Sequence, residues 1–510
     1  MCECVSDQAV KRWQCVGTLP SPFKQLASSR IRYQGTLHIG VNMSIFAHSP
    51  NFLLLSFSML VVFVAVHSMP SPPLRVIPAA APRRVRVDGQ RFVDVSTNVT
   101  IVLAGPNVVV KGPPYLPSTT GDTICNDVVN EECAAHGNCT SCSTFNQADI
   151  NHIKSLGWNV IRLGVVWAGA QPEDSDSLDA SFLQRLHSLL DLTDTAGINV
   201  VLDNHSDMTG SAGCGNGVPM WFQKQAAADL IGRPLHTDFL FDIVPSLRIE
   251  NVPGFDHCGL GNESAWMKHA GDPNYNMLNE CCQAMNSGGN PGALGYTTSS
   301  QSTMNYMLSE GAGRDAFVRY WRLMAEAVKY HPSAFACELV NEPMSIARKR
   351  MFDTWRAAAE AINSVVPDMS ISICDVGEGI VIPSWVTEFF GGYEDISYST
   401  ARWMKESTTL FYAWHWYRKP LSIDEAIKNA QALSEVFNMP SFATEFGSCE
   451  AWDAAARANI SHSYWHYSSY CNTGAAFGNK SFPSDTFGAC ILGWGGGDSS
   501  HCAASRKRQL

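Results

Sequence analysis

Runs of apolar, largely β-branched residues alternate along the chain with stretches whose apolar residues recur every three or four positions. The runs read as strands at Val108–Lys111, Asn159–Trp167, Asn199–His205, Phe335–Asn341, Met369–Val376, Leu410–Tyr417, Ser441–Glu445 and Ser463–Tyr467. Between them Phe182, Leu183, Leu186, Leu189 and Leu190 recur at helical spacing. So do Phe317, Tyr320, Trp321, Met324 and Val328, and later Ile427, Ala430, Leu433 and Val436. Ahead of the first run, VRVDGQRFVDVS predicts a small strand pair turning at Asp88-Gly89.

Strands that are apolar almost throughout, with helices between them, imply a parallel sheet covered on its outer face. Eight of them close into an α/β architecture, the (β/α)8 TIM barrel, over residues 88–480. An open doubly wound sheet is the alternative, but it calls for a glycine-rich phosphate loop after its first strand, where Lys111-Gly112-Pro113-Pro114 stands instead. The longest insertion, about a hundred residues, separates the third strand from a helix beginning near Arg314. It is rich in Gly, Asn and Cys (GSAGCGNGVP, NECCQAMNSGGNPG). Lying on the strand-to-helix side, where barrel sites are built, it is expected to form a cysteine-pinned cleft wall, with Cys281 and Cys282 bonded to different partners.

The chain carries 17 cysteines. Cys2, Cys4 and Cys15 precede an apolar run, and the rest lie from Cys125 to Cys502, a usage that indicates an oxidising compartment. Cys125, Cys133, Cys139 and Cys142 have no matching His ligands or second C-x-x-C pair, so loop-stapling disulfides are expected there rather than zinc. The apolar run, residues 52–66 (FLLLSFSMLVVFVAV), is short of the ~20 residues of a membrane-crossing helix and suits a signal-peptide core, with cleavage after Ser68. Because such a core belongs near the start, translation is expected to begin at Met43. A type II membrane anchor is the competing reading. The expected organisation is a leader over 1–68, a Pro-rich linker over 69–87, the barrel over 88–480 and an irregular tail over 481–510, in a secreted or endomembrane-lumenal protein. Sequons at Asn98, Asn138, Asn204, Asn262, Asn459 and Asn479 fit that route. Asn204, at a strand end facing the cleft, is expected to stay unmodified.

Composition narrows the function classes. The formal net charge is −11, from 36 Lys plus Arg against 47 Asp plus Glu, which leaves no general electrostatic grip on nucleic acid. Polar residues cluster instead at strand ends. Asn341-Glu342-Pro343 closes the fourth barrel strand and Thr444-Glu445-Phe446-Gly447 the seventh. A carboxylate leaving an apolar strand loses hydration, which raises its pKa and suits it to general-acid work. A second one, kept ionised by hydrogen bonds, attacks carbon, and a pair ~5–5.5 Å apart is the machinery of a retaining glycosidase. The bland alternative is that each glutamate caps a helix or pairs with Arg. Arg162 interrupts an apolar strand and needs anionic or carbonyl partners. Asp203, His205 and Asp207 alternate along the end of the third strand, His415 and Tyr417 along the sixth, and Trp465 ends the eighth. Such a set suits sugar hydroxyls and pyranose faces. With a single histidine beside Asp203 and Asp207, no metal is expected, and no cofactor.

These motifs resemble glycoside hydrolase family 5. The core of the resemblance is Arg162, His205, Asn341-Glu342-Pro343, His415, Tyr417, Glu445 and Trp465. VVVKGPPYLP with Lys111, LDNHSDM with Asp207, and GSAGCGNGVPMW with Trp221 resemble its endoglycoceramidase-like and glycosylceramidase-related members. The resemblance implies Glu342 as acid/base and Glu445 as nucleophile, supported by Arg162 and Tyr417. It implies Asn341 on the sugar 2-hydroxyl, and Lys111, His205, Asp207, His415, Trp221 and Trp465 lining the subsites. It also implies a β-sandwich after the barrel, which the Gly-rich residues following Tyr470 do not provide. The expected reaction is retaining hydrolysis between an oligosaccharide, or glucose, and ceramide. The alternatives are exo-β-glucosidase action on glucosylceramide or steryl glucoside, a secreted β-glucanase, and a carbohydrate-binding barrel without activity. The expected partner is a glycolipid or β-glycan, met by a monomer with transient membrane-surface contact.

Overall fold

The computed structural model describes residues 81–110, 115–120, 145–206, most of 210–251, 291–345, 347–374, 398–417, 422–465 and 467. The leader, the Pro-rich linker up to residue 80, Cys125 to Cys142, Cys281, Cys282 and the tail lie outside them.

The chain opens with the antiparallel strands β1 (Val85–Asp88), β2 (Arg91–Asp94) and β3 (Thr100–Ile101). Asp88 faces Arg91 across a two-residue turn in which Gly89 takes a φ of 59°, the left-handed conformation that glycine adopts without a Cβ clash. Phe92 of β2 lies edge-on to Phe335, Phe411 and Phe442, with centroids 5.5–6.0 Å apart. Those three rings belong to barrel strands near their N-terminal ends, so the small sheet plugs the barrel floor.

Eight parallel strands follow: β4 (Ala104–Val108), β5 (Val160–Gly164), β6 (Asn199–Asp203), β7 (Ala334–Glu338), β8 (Ser370–Ile373), β9 (Leu410–Trp416), β10 (Ser441–Phe446) and β11 (Ser461–Tyr464). They close as a barrel in the order β10-β11-β4-β5-β6-β7-β8-β9. The outer helices are α1 (Gln147–Ser155), α2 (Trp167–Ala170), α3 (Ala180–Ala196), α4 (Met220–Ala227), α5 (Thr298–Leu308), α6 (Ala312–Val328), α7 (Arg348–Val365), α8 (Tyr398–Glu406), α9 (Ile423–Phe437) and α10 (Cys449–Arg457). On α6, Phe317, Tyr320, Trp321, Met324 and Val328 are all buried, as their spacing predicts.

Two expectations are corrected. The first barrel strand is Ala104–Val108 and not Val108–Lys111. Its Gly-Pro pair reads as a turn in isolation, yet a Cβ on Gly105 would sit 1.7 Å from the Val160 carbonyl oxygen, so the close strand approach demands glycine there. The eighth strand begins two residues early, at Ser461. The long insertion after β6 is partly helical, containing α4 and α5. Cys337 is a buried thiol of the barrel wall, and the Sγ of buried Cys374 reaches the Val340 carbonyl oxygen at 3.5 Å. Asn204 is wholly buried, with its amide accepting from Trp167 N at 3.2 Å and donating to Leu339 O at 3.3 Å, which leaves no room for a glycan. Among the described residues no helix is long and apolar enough to cross a membrane.

Candidate active site

The C-terminal ends of the barrel strands converge on one guanidinium. Arg162, in the middle of β5, has zero exposure, and all five of its N–H groups are used. Nε and Nη2 grip the two oxygens of Glu338 at 2.9 and 2.7 Å. Nη1 donates to Glu445 Oε1 at 2.5 Å and to Asn107 Oδ1 at 2.8 Å, and Nη2 also reaches Asn341 Oδ1 at 2.8 Å. Asp203 Oδ1 lies 3.1 Å from Nη2, a third buried carboxylate on one cation. A planar fork with fixed donor directions is what allows partners from four strand ends to be held at once.

Glu445, on β10, is 4 % exposed. Its Oε2 accepts from the Tyr417 hydroxyl at 2.5 Å, so both carboxylate oxygens are held by donors. Burial by itself would raise the Glu445 pKa, but the His415, Arg162 and His205 charges and the Tyr417 hydrogen bond bring it below the ordinary range. Burial likewise acts against ionised Glu338, and there Arg162, with His415 near, holds the carboxyl down to about 2. Burial does win at Asp203, whose pKa is raised despite Arg162 and His205. The Tyr417 phenol is pushed well up by burial and by the two flanking glutamates, so it remains a donor.

Glu342 sits differently. Its side chain is a quarter exposed, and its φ of 39° is rare for a residue with a Cβ. The preceding Asn341 is hydrogen-bonded on both sides, its N–H to Asn204 O at 3.0 Å and its Oδ1 to Arg162, so the turn is imposed by its surroundings. His415 Nδ1 lies 2.9 Å from Glu342 Oε1 and 3.7 Å from Glu445 Oε2. Single ligand atoms of Glu342, His415 and Glu445 all fall within 4.8 Å of one another. His205 Nδ1 pairs with Asp203 Oδ2 at 2.7 Å, and its ring stacks on Trp465 with centroids 4.9 Å apart and planes 14° from parallel.

Arg162, His205, Asn341, Glu342, His415, Tyr417, Glu445 and Trp465 are therefore brought together. Trp221, on α4, packs edge-on to Trp167 at 5.8 Å, lies under the Arg319 guanidinium and donates Nε1–H to Gln171 O at 3.0 Å. It thereby fastens the insertion to the barrel wall. Lys111 and Asp207 fall outside the described residues. Sequence reasoning missed Glu338 and Asn107. The signal for Glu338 was available, since it interrupts FACELV just as Arg162 interrupts VIRLG. Asn107 had none.

Two side-chain groups among the described residues have the donor types for a metal ion: Glu342 with His415 and Glu445, and Asp191 with Asp194 and His331. In the first, Glu445 already spends both oxygens on Arg162 and Tyr417, and a second cation would meet Arg162 across one carboxylate. In the second, at the foot of α3, His331 Nδ1 and Ser333 N are hydrogen-bonded to Asp194, each at 2.8 Å, which is a helix-to-strand clasp.

A family model described as cellulase (glycosyl hydrolase family 5) matches residues 127–234. The chain is 25 % identical over 241 residues to an endoglycoceramidase of Hydra vulgaris, covering 47 % of this chain and 36 % of that one. It is 28 % identical over 194 residues to endoglycoceramidase I of Rhodococcus hoagii, covering 38 % and 33 %. The chain thus spans about a third of the length of the curated relatives it matches. Among solved structures, endo-glycoceramidase II of a Rhodococcus species in a cellobiose-like isofagomine complex aligns with a TM-score of 0.48 at 16 % identity, over 75 % of this chain and 77 % of the other. The fold rests on the closed eight-stranded sheet itself, and by the family match, the relatives and the motifs at its strand ends the chain resembles glycosyl hydrolase family 5 and, within it, the endoglycoceramidases.

Proposed function

We propose that this chain is a retaining β-glycosidase that cleaves the bond between sugar and ceramide in glycosphingolipids. The observation that carries the reading is the pairing of Glu342 and Glu445 around His415, with carboxylate oxygens within 4.8 Å. That separation suits direct attack on carbon and leaves too little space for the intervening water of an inverting enzyme. The two carboxyls also have opposite surroundings. Glu445 is buried among donors and stays ionised, as a nucleophile must, while Glu342 is partly open to solvent, at the place from which a leaving oxygen is protonated.

In the first displacement Glu445 forms a bond to the anomeric carbon, the bond to the leaving oxygen breaks, and the Glu342 proton passes to that oxygen. In the second, water attacks the same carbon, its proton goes to Glu342, and Glu445 departs. Arg162 holds Glu445 on the attack line, and it fixes the Asn341 amide so that Nδ2 serves as donor to the sugar 2-hydroxyl. Trp465, stacked on His205, offers an aromatic face for the pyranose. The ceramide specificity rests on the named relatives and on the long insertion bordering Glu342. A secreted or lumenal location, contact with a membrane surface and monomeric action belong to the same proposal.

The test is hydrolysis of a panel of lactosylceramide, glucosylceramide, cellotetraose and an activated aryl β-lactoside, with product anomers followed by proton NMR. Release of intact lactose as the β-anomer from lactosylceramide is expected. Glu445→Ala abolishes every reaction. Glu342→Gln loses lactosylceramide cleavage by about 10²–10⁴-fold and aryl lactoside cleavage by less, because a good leaving group needs little protonation. Wild-type rates in either variant, or initial release of the α-anomer, sink the assignment.

A further inference from the structure

Tyr296 closes the 3-10 turn Pro291–Tyr296 at the end of the long insertion. It has zero exposure, and its hydroxyl has no hydrogen-bond partner among the described residues. A buried phenol left unpaired costs stability that a phenylalanine would not, so a hydroxyl kept at such a place invites a functional account.

Its position is over-determined. The Tyr296 carbonyl accepts from Asp238 N at 2.8 Å, Thr297 bridges Thr237, and Thr298 N donates to His236 O at 2.9 Å. The Phe241 ring lies against the Tyr296 ring at 4.6 Å. Gln301 Nε2 then ties this turn to the segment carrying Glu342, donating to Gly295 O at 2.9 Å and to Met344 O at 2.8 Å. The fit is so close that a Cβ on Gly295 would fall 1.8 Å from Met344 Sδ. Tyr296 is thereby anchored within electrostatic reach of Glu342, whose charge adds to burial in raising the phenol pKa and keeps the hydroxyl a donor at all working pH values. Other groups facing Glu342 among the described residues include His415 and Tyr417 from the β9 end and Glu445 from β10, with Arg162 behind Glu445.

We propose that Tyr296 is a positioning residue for Glu342, its hydroxyl donating a hydrogen bond to the carboxylate whenever Glu342 is ionised. The idea rests on the double-displacement reading above, because only a group that is neutral in one step and anionic in the next needs a donor it leaves idle in between. No proton leaves Tyr296. When Glu342 has passed its proton to the leaving oxygen, the phenol O–H stabilises the new carboxylate, and when water returns a proton the contact is released. The insertion would in this way reach the chemistry through the acid/base, not only through the cleft wall.

The test is a titration of the Glu342 side-chain carboxyl by 13C NMR in the full chain, with the signal assigned by its loss in Glu342→Gln. Tyr296→Phe is expected to raise the Glu342 pKa by about one unit, a tenfold change in its ionisation. The alkaline limb of kcat/KM moves up with it, and turnover of a 2,4-dinitrophenyl β-lactoside, limited by the second displacement, falls about tenfold. An unchanged Glu342 pKa overturns the proposal. If the pKa rises but no β-glycoside is cleaved by the wild type, the contact stands and the hydrolase reading fails. Should Tyr296→Phe not fold, the Tyr296 ring signal in the wild type decides. It must follow the Glu342 titration and lose that dependence in Glu342→Gln, and a signal that never tracks Glu342 overturns the contact.

Discussion

Arg162 Nη1 and Glu445 Oε1 meet at 2.5 Å, although their strands β5 and β10 are separated by β11 and β4 in the barrel wall. Closure alone brings them together, and the same guanidinium also holds Glu338 and Asp203. Removing it leaves three carboxyls buried without their cation. Arg162→Met is therefore expected to cost about 3–5 kcal/mol of stability. Urea unfolding at neutral pH measures it. Arg162→Lys recovers only part of the loss, because an ammonium cannot fill five fixed donor directions. A variant as stable as the wild type would contradict the role given to this network.

Tyr417 sets the acid side of the pH profile. Glu445 must be ionised to attack, and its pKa lies below the ordinary range partly because Tyr417 donates to it. Tyr417→Phe removes that donor, so the pKa rises and activity is lost at higher pH on the acidic limb. At the pH optimum kcat/KM falls about 10–100-fold, the usual worth of a hydrogen bond to a charged group. An acidic limb that does not move would show that His415, Arg162 and His205 govern Glu445 without Tyr417.

His462 ties stability to pH. It is buried on β11 with Nδ1 at 2.7 Å from Ile460 O, and burial lowers its pKa to about 4. The native state keeps the ring neutral, whereas the unfolded chain protonates it near 6.5. The stabilisation is complete above pH 6.5 and is lost as the pH falls toward 4, by about 3 kcal/mol in all. Unfolding free energies at pH 7 and pH 4.5 in wild type and His462→Phe test it. The variant should lose less stability on acidification, and equal losses would place the pH sensitivity elsewhere.

Gly105 tests barrel closure. With a Cβ forced to 1.7 Å from a backbone oxygen of the neighbouring strand, Gly105→Ala has no flexible side chain to displace. A loss of more than about 4 kcal/mol is expected, at the extreme of single-substitution effects. Thermal melting followed by near-ultraviolet circular dichroism reads it, and a melting temperature within a few degrees of wild type would mean that the strands separate more easily than their spacing implies.

Much of this architecture is written locally. The faces of α3, α6 and α9 follow from apolar residues at helical spacing, and the Asp88-Gly89 turn from residues that fit a two-residue hairpin. The strand ends already mark Glu342 and Glu445, because a carboxylate next to a buried apolar run needs a reason to be there. Near Gly105 local reading misplaced a strand, since the constraint comes from a neighbouring strand far away in sequence.

Thus the sequence by itself determined the alternation of strands and helices, the hairpin ahead of the barrel and the two glutamates at the ends of β7 and β10, all of which depend on side-chain chemistry within a few residues. The tertiary structure decided what each buried charge meets. Asn107 pairs in register with Arg162, and Asp203 with Glu338. Partners from distant strands gather on one guanidinium only because a closed parallel barrel points its strand ends at a common axis, and no local pattern encodes which strands will face each other across it.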